Sequence, residues 1–274
     1  MPQQTQNYSP TLSSREMSQA ISALGIRKAN TEGWQLLLLG LLSGTYIGIG
    51  AHLYMVALQS GLNRVWASSV FSVGLVLVVV AGAELFTGNV IMIVGTLTRR
   101  FSLARMLRSW VAVYIGNFLG AYLLAILIWR SGLLGWAPQP TAVGAMLADV
   151  AAAKLNIPFG EAFIRGVLCN ALVILAILMA ILSRDVVSKV VCCVLPVTAF
   201  VASGFEHCVA NMYLIPAGLF AQGTPWGEHL AMCRNLIPVT LGNIVGGVAI
   251  LVLHPNRIRQ FVALTRGEVA PPPA

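Results

Sequence analysis

Charged side chains are scarce in this sequence: Asp, Glu, Lys and Arg make up 9% of its 274 residues, against 57% hydrophobic residues. A soluble domain covers its surface with about 25% charged residues, so a water-soluble enzyme or binding domain is excluded. Such a chain buries its apolar surface in lipid, and a polytopic membrane protein is expected, with no enzymatic activity. Cysteine is too sparse and too irregular to build a framework. The five (Cys169, Cys192, Cys193, Cys208, Cys233) show no CxxC or Cys/His spacing, and four lie in or beside apolar runs. Neither a disulfide set nor a zinc site is expected, and no cofactor is implied. The first ~30 residues lack an apolar core, so no cleavable signal peptide is read there. Alternating segments of about 10 residues, the mark of a membrane β-barrel, are also missing.

What is present is a series of six apolar stretches: Trp34 to about Leu58, Val65 to Leu97, Trp110 to Trp129, about Ala162 to Leu182, Val190 to Phe220, and Leu236 to Leu253. Each can cross a hydrocarbon core that needs about 20 helical residues, so the fold class is an all-α integral membrane bundle. Lys and Arg distribute unequally between the two sides. Twelve fall on one side; Arg64, Arg130, Lys154, Arg165 and Arg234 fall on the other. The positive-inside rule puts both termini in the cytoplasm, and the net charge of +8 reads as an insertion signal rather than a nucleic-acid footprint. Ahead of the first span, Ser13 and Glu16 form a capping-box pattern, and Met17, Ala20, Ile21 and Leu24 follow at helical spacing before Gly25. A short amphipathic helix is expected there. The resulting division is an N-terminal cytoplasmic segment over 1–30, a six-helix transmembrane domain over 31–255, and a cytoplasmic tail over 256–274, disordered at its Pro-rich end.

The second and fifth stretches hold 33 and 31 residues, roughly 50 and 46 Å as helix at ~1.5 Å per residue, too long for one span. Each is interrupted, at Gly82-Ala83-Glu84-Leu85-Phe86-Thr87-Gly88-Asn89 and at Ala202-Ser203-Gly204-Phe205-Glu206-His207-Cys208-Val209-Ala210-Asn211. Each following helix carries Gly-Asn-x-x-Gly-small, at Gly116-Asn117 and Gly242-Asn243. Two three-helix halves inserted with opposite orientation are expected, with helices 2 and 5 broken and a substrate site at the repeat axis. The stripe Gly40, Gly44, Gly48 reads as a close helix contact.

Ionisable groups at membrane depth cost ~2.5–3.5 kcal/mol and face protein or a cavity. His207, in a break beside Glu206, therefore reads as a pathway residue. His52 reads as packing or an interprotomer contact, and His229 and His254 as interface residues. Glu84 and Glu206 occupy equivalent breaks; they read chiefly as acceptors for backbone N–H groups freed by the break, with a proton relay as the alternative. Thr87 caps its half-helix, presents its hydroxyl to His207, or both. Half-helices starting near Gly88 and Cys208 would aim positive dipole ends at the centre. Lys154, in the segment before the fourth span, is either an anion attractor or a solvated loop residue.

These strings, with Phe200 to Met212 and with Asn235-Leu236-Ile237-Pro238-Val239-Thr240-Leu241-Gly242-Asn243, closely resemble the formate/nitrite transporter family over about residues 30–255. The resemblance implies a homo-pentamer of aquaporin-like protomers in a prokaryotic plasma (inner) membrane, each protomer with its own pore. It also implies a central polar group of Thr87, His207 and Asn243, an outer vestibule with Lys154 and Asn170, and apolar constrictions at Phe71, Leu75, Leu85 and Phe200. The surroundings of Lys154 (Ala151-Ala152-Ala153, Leu155-Asn156) are unusually apolar. The expected cargo is a small weak-acid anion with protons, formate first, then nitrite, then hydrosulfide; the shared motifs do not separate the three. Asn-Pro-Ala occurs nowhere, which argues against a water or glycerol channel. The rival of another class, a haem-binding electron-transfer subunit, needs histidines paired across facing helices, and only His207 is so placed.

Overall fold

The structure, a computed structural model, describes residues 11–253; the C-terminal tail and His254 lie outside the described residues. An amphipathic helix α1 (Ser14–Asn30) precedes the first membrane helix α2 (Gly33–Gln59). The second stretch is α3 (Arg64–Phe71) and α4 (Val73–Ala81), then a break, then α5 (Phe86–Asn89), a 3-10 turn and α6 (Ile93–Leu97). Next come α7 (Leu103–Arg130), a two-stranded hairpin β1 (Gly135–Trp136) and β2 (Gln139–Pro140), and α8 (Ala142–Leu155). The chain continues through α9 (Phe159–Leu182), α10 (Val186–Ala202), α11 (Cys208–Gln222), a 3-10 segment and α12 (Cys233–Leu253). Among the described residues, five helical segments are long and apolar enough to cross a membrane, and the fifth stretch is divided into α10 and α11, each shorter than a span.

The breaks fall where the chain carries glycine. Gly82 closes α4 at φ +82°, and Gly204 follows α10 at φ +75°, a left-handed conformation that a Cβ disfavours. The two halves then repeat the same packing, α2 against α7 and α9 against α12. Glycine lets these pairs close to backbone contact. A Cβ on Gly120 would strike the Leu41 carbonyl, and one on Gly246 the Val167 carbonyl. Gly40 and Gly44 of the predicted stripe meet α7 in the same way. Gly246→Val should lower stability by about 1–3 kcal/mol or more through overpacking. Gly33→Ala, whose Cβ meets nothing within 4 Å, should not. Thermal unfolding of the detergent-solubilised protein reads the difference.

Two elements differ from expectation. Helix α1 runs through Gly25 to Asn30; Ser13 and Glu16 do form the capping box, and the Ser13 backbone and side-chain hydrogen bonds hold the exposed Glu16 carboxyl below its usual range. The segment before the fourth span is a helix, α8, capped by Thr141, with Lys154 in its last turn and not in a loop. It carries almost no polar residue to mark a helical period, and so gives no amphipathic signal. Each three-helix half is thus preceded by a further helix with a lysine in its last turn, α1 with Lys28 and α8 with Lys154.

Candidate functional site

Each break releases backbone groups into the membrane interior, where an unpaired one costs about 1–3 kcal/mol. One amide side chain collects them in each half. Asn117 Oδ1 accepts from Phe86 N–H at 2.9 Å, and its Nδ2 donates to the Gly40 and Glu84 carbonyls at 2.8 and 3.0 Å. Asn243 Oδ1 accepts from Cys208 N–H at 2.9 Å, and its Nδ2 donates to the Gly166 and Glu206 carbonyls at 2.8 and 2.9 Å. This corrects the role expected of Glu84 and Glu206. At each break the amide answers one freed donor and one freed acceptor, Phe86 N–H with the Glu84 carbonyl and Cys208 N–H with the Glu206 carbonyl, whereas an ionised carboxylate only accepts. It also places Asn243, read as part of the central polar group, in a backbone clasp.

The carboxylates instead pair with lysines. Lys28 Nζ meets Glu84 Oε2, and donates to Asn89 Oδ1 at 2.7 Å. Lys154 Nζ lies 2.7 Å from Glu206 Oε1, while Asn211 donates to Glu206 Oε2 at 2.6 Å. All four charged side chains are 15% exposed or less, so each charge is balanced where solvent is scarce. Asn235 donates to the Lys154 carbonyl at 3.0 Å and accepts from Asn211 at 2.7 Å, which ties α12 to α8 and α11.

At the axis, Thr87 Oγ1 lies 3.0 Å from His207 Nε2. His207 is also the N-cap of α11: its Nδ1 accepts from Ala210 N–H at 3.2 Å. That bond leaves the neutral imidazole proton on Nε2, which donates to Thr87. Thr87 is fully buried within α5 and caps nothing; the N-cap position there is Leu85, which makes no side-chain cap.

One cavity reaches His207, and a second reaches Gly88, the neighbour of Thr87 in sequence. The first, of about 500 Å³, is lined by Phe71, Lys154, Phe200, Glu206 and His207. The second, of about 390 Å³, is lined by Lys28, Glu84, Leu85, Gly88 and Asn89. Phe71 and Phe200 meet edge to face with centroids 6.1 Å apart, and Phe200 stacks on the His207 ring at 5.9 Å. Leu75 is buried on α4 and lines neither cavity. Asn170, expected in the outer vestibule, lies deeper: fully buried, it donates to the carbonyls of Asn243 at 2.6 Å and Thr87 at 3.3 Å. His52 Nδ1 lies 2.8 Å from the Tyr213 hydroxyl. His229, read as an interface residue, is 3% exposed, inside an aromatic cluster with its Nδ1 2.9 Å from the Tyr122 hydroxyl.

Two cavities, one at each helix break, with a buried polar contact joining the breaks inside an inverted repeat of membrane-crossing helices, define a membrane transport protein. A family profile described as Formate/nitrite transporter matches residues 15–255, and the chain belongs to that family. The chain is 38% identical over 252 residues to a "Probable formate transporter" of Methanothermobacter thermautotrophicus, covering 85% of this chain and 91% of that protein. It is 35% identical over 254 residues to the formate channel FocA of Escherichia coli, covering 84% and 88%. Among solved structures, an "FNT family ion channel" superimposes with a TM-score of 0.77 at 30% identity, covering 87% of this chain and 96% of that one. A "Pentameric formate channel with formate bound" does so with a TM-score of 0.72 at 32% identity, covering 81% and 95%.

Sequence reasoning missed the Asn117 clasp and both lysine partners. The doubled Gly-Asn motif was a visible signal for the first. For the second, Lys28 precedes Glu84 by 56 residues and Lys154 precedes Glu206 by 52, a near-equal spacing that a search for repeats would register.

Proposed function

We propose that the chain conducts a small monovalent weak-acid anion, formate first and nitrite second, through a pore inside each protomer of a homo-pentamer. The observation that carries this is the buried Thr87–His207 contact, which joins two helix breaks that each line a lysine-bearing cavity. The similar proteins known as formate channels and transporters support formate as the cargo. In this reading the Lys154 cavity faces outward, the Lys28 cavity and both termini face the cytoplasm, and the membrane is a prokaryotic inner membrane.

The two rings beside His207 leave an arriving anion with little to replace its hydration shell, a cost of several kcal/mol. A weak acid avoids that cost by crossing in neutral form. The anion takes a proton from water in the cavity it enters, passes Thr87 and His207 as the acid, and gives the proton to water on the far side. The Thr87 hydroxyl, accepting from His207 Nε2–H, keeps its own proton for the passing oxygen. Chloride is equally small but takes no proton at accessible pH. Proteoliposome flux of formate at mildly acidic pH should therefore exceed that of chloride by about tenfold or more, the factor set by each 1.36 kcal/mol of barrier. Comparable chloride flux would mean selection by charge alone and would overturn the weak-acid reading. Nitrite and hydrosulfide measured alongside rank the cargo.

A further inference from the structure

The Lys154 cavity carries one more cation than its two salt bridges use. Lys154 is engaged by Glu206 at 2.7 Å, and Arg165 by Glu161 at 2.8 Å. The third cation lining the cavity is Arg64, and among the described residues it forms no ion pair with a carboxylate. Its place is fixed by the fold. Asn63 caps α3 by accepting from Val65 and Trp66 N–H, which starts the helix at Arg64. The guanidinium reaches across to the break after α10, where a Cβ on Gly204 would lie 2.8 Å from Arg64 Nη2. Tyr54 lines the same cavity. Gly204 precedes Glu206 and His207 by two and three residues, so the guanidinium stands beside the break that carries both.

An anion approaching Lys154 must compete with a buried carboxylate already bound to it. At Arg64 it meets no such competitor. A guanidinium also presents a planar fork of donors that matches the two oxygens of a carboxylate or nitrite, and that a single-atom anion cannot fill. Resting on the function proposed above, we propose that Arg64 is the anion-capturing and oxyanion-selecting residue of this cavity, the paired Lys154 being part of its wall. The ligand class is a small planar oxyanion with two terminal oxygens.

The test uses full-length protein in proteoliposomes whose insertion sidedness has been fixed by tag accessibility, with formate supplied to the Lys154 face. Arg64 is exposed, so Arg64→Gln and Arg64→Lys are expected to assemble as wild type, which size exclusion checks. Arg64→Gln should raise the half-saturating formate concentration about fivefold, the scale of one exposed charge-assisted contact, with maximal flux unchanged. The half-saturating concentration should rise with ionic strength in wild type and stay flat in Arg64→Gln. Arg64→Lys should restore that salt dependence but lose part of the preference for formate over hydrosulfide. An unchanged half-saturating concentration in Arg64→Gln, or a fall in maximal flux alone, would overturn the assignment. Absence of formate flux in wild type would instead overturn the function on which it rests.

Discussion

Replacing His207 with Asn should lower formate flux about tenfold or more, the equivalent of one lost hydrogen bond of about 1.5 kcal/mol at the barrier. The substitution separates the two roles of the imidazole. Its Nδ1 caps α11 through Ala210 N–H, and its Nε2 holds Thr87. Asn is among the best N-cap residues, so the start of α11 should persist and the oligomer should remain intact. It is too short to reach Thr87, whose hydroxyl then turns without a fixed partner. The residual flux should scale with the bulk fraction of neutral formic acid, whereas wild-type flux should exceed what that fraction allows. Flux in proteoliposomes at several pH values gives both quantities. Wild-type flux with the same pH profile in His207→Asn would make the imidazole a packing and capping group only.

Asn243→Leu should have the largest effect on stability, about 3–5 kcal/mol, because it strands several buried backbone groups at once. The leucine fills similar space but leaves Cys208 N–H and the carbonyls of Glu206 and Gly166 without the amide. Gly166 lies within α9, so the larger losses fall on the other two. Asn243→Asp should recover part of the loss, since a carboxylate oxygen still accepts from Cys208 N–H although it cannot donate. Asn117→Leu should behave alike, its contacts matching those of Asn243 one for one. Thermal unfolding in detergent measures the series. A wild-type midpoint for Asn243→Leu would mean that the break is held by other contacts.

The legible parts of this fold are those where the membrane penalises a residue. Excess helix length, glycines Gly82 and Gly204, and charge at mid-span disclosed both breaks; Thr87 and His207 lay at the breaks and do meet. Less legible were groups whose partner is distant in sequence. The freed N–H groups could be foreseen, but Asn117 and Asn243 answer them from another helix, and sequence proximity pointed to Glu84 and Glu206 instead. Lys28 enters the sequence reading only as one of the twelve basic residues on one side, yet it is buried against Glu84. Helix α8 stayed hidden because Ala142–Leu155 is Ala-rich and nearly uniform in polarity, so neither face announces itself. Asn170 could be assigned to helix four but not to a depth, since depth depends on how far the Gly166 contact lets α12 approach.

Whether formate and a proton cross together is the most direct test of a neutral-acid pathway past Thr87 and His207. Proteoliposomes loaded with a pH-sensitive dye should acidify internally as formate enters, with about one proton per formate and no membrane potential, at a rate well above that of protein-free vesicles. Formate influx that builds a negative internal potential without acidification would show a bare anion passing Thr87 and His207, and would contradict the pathway.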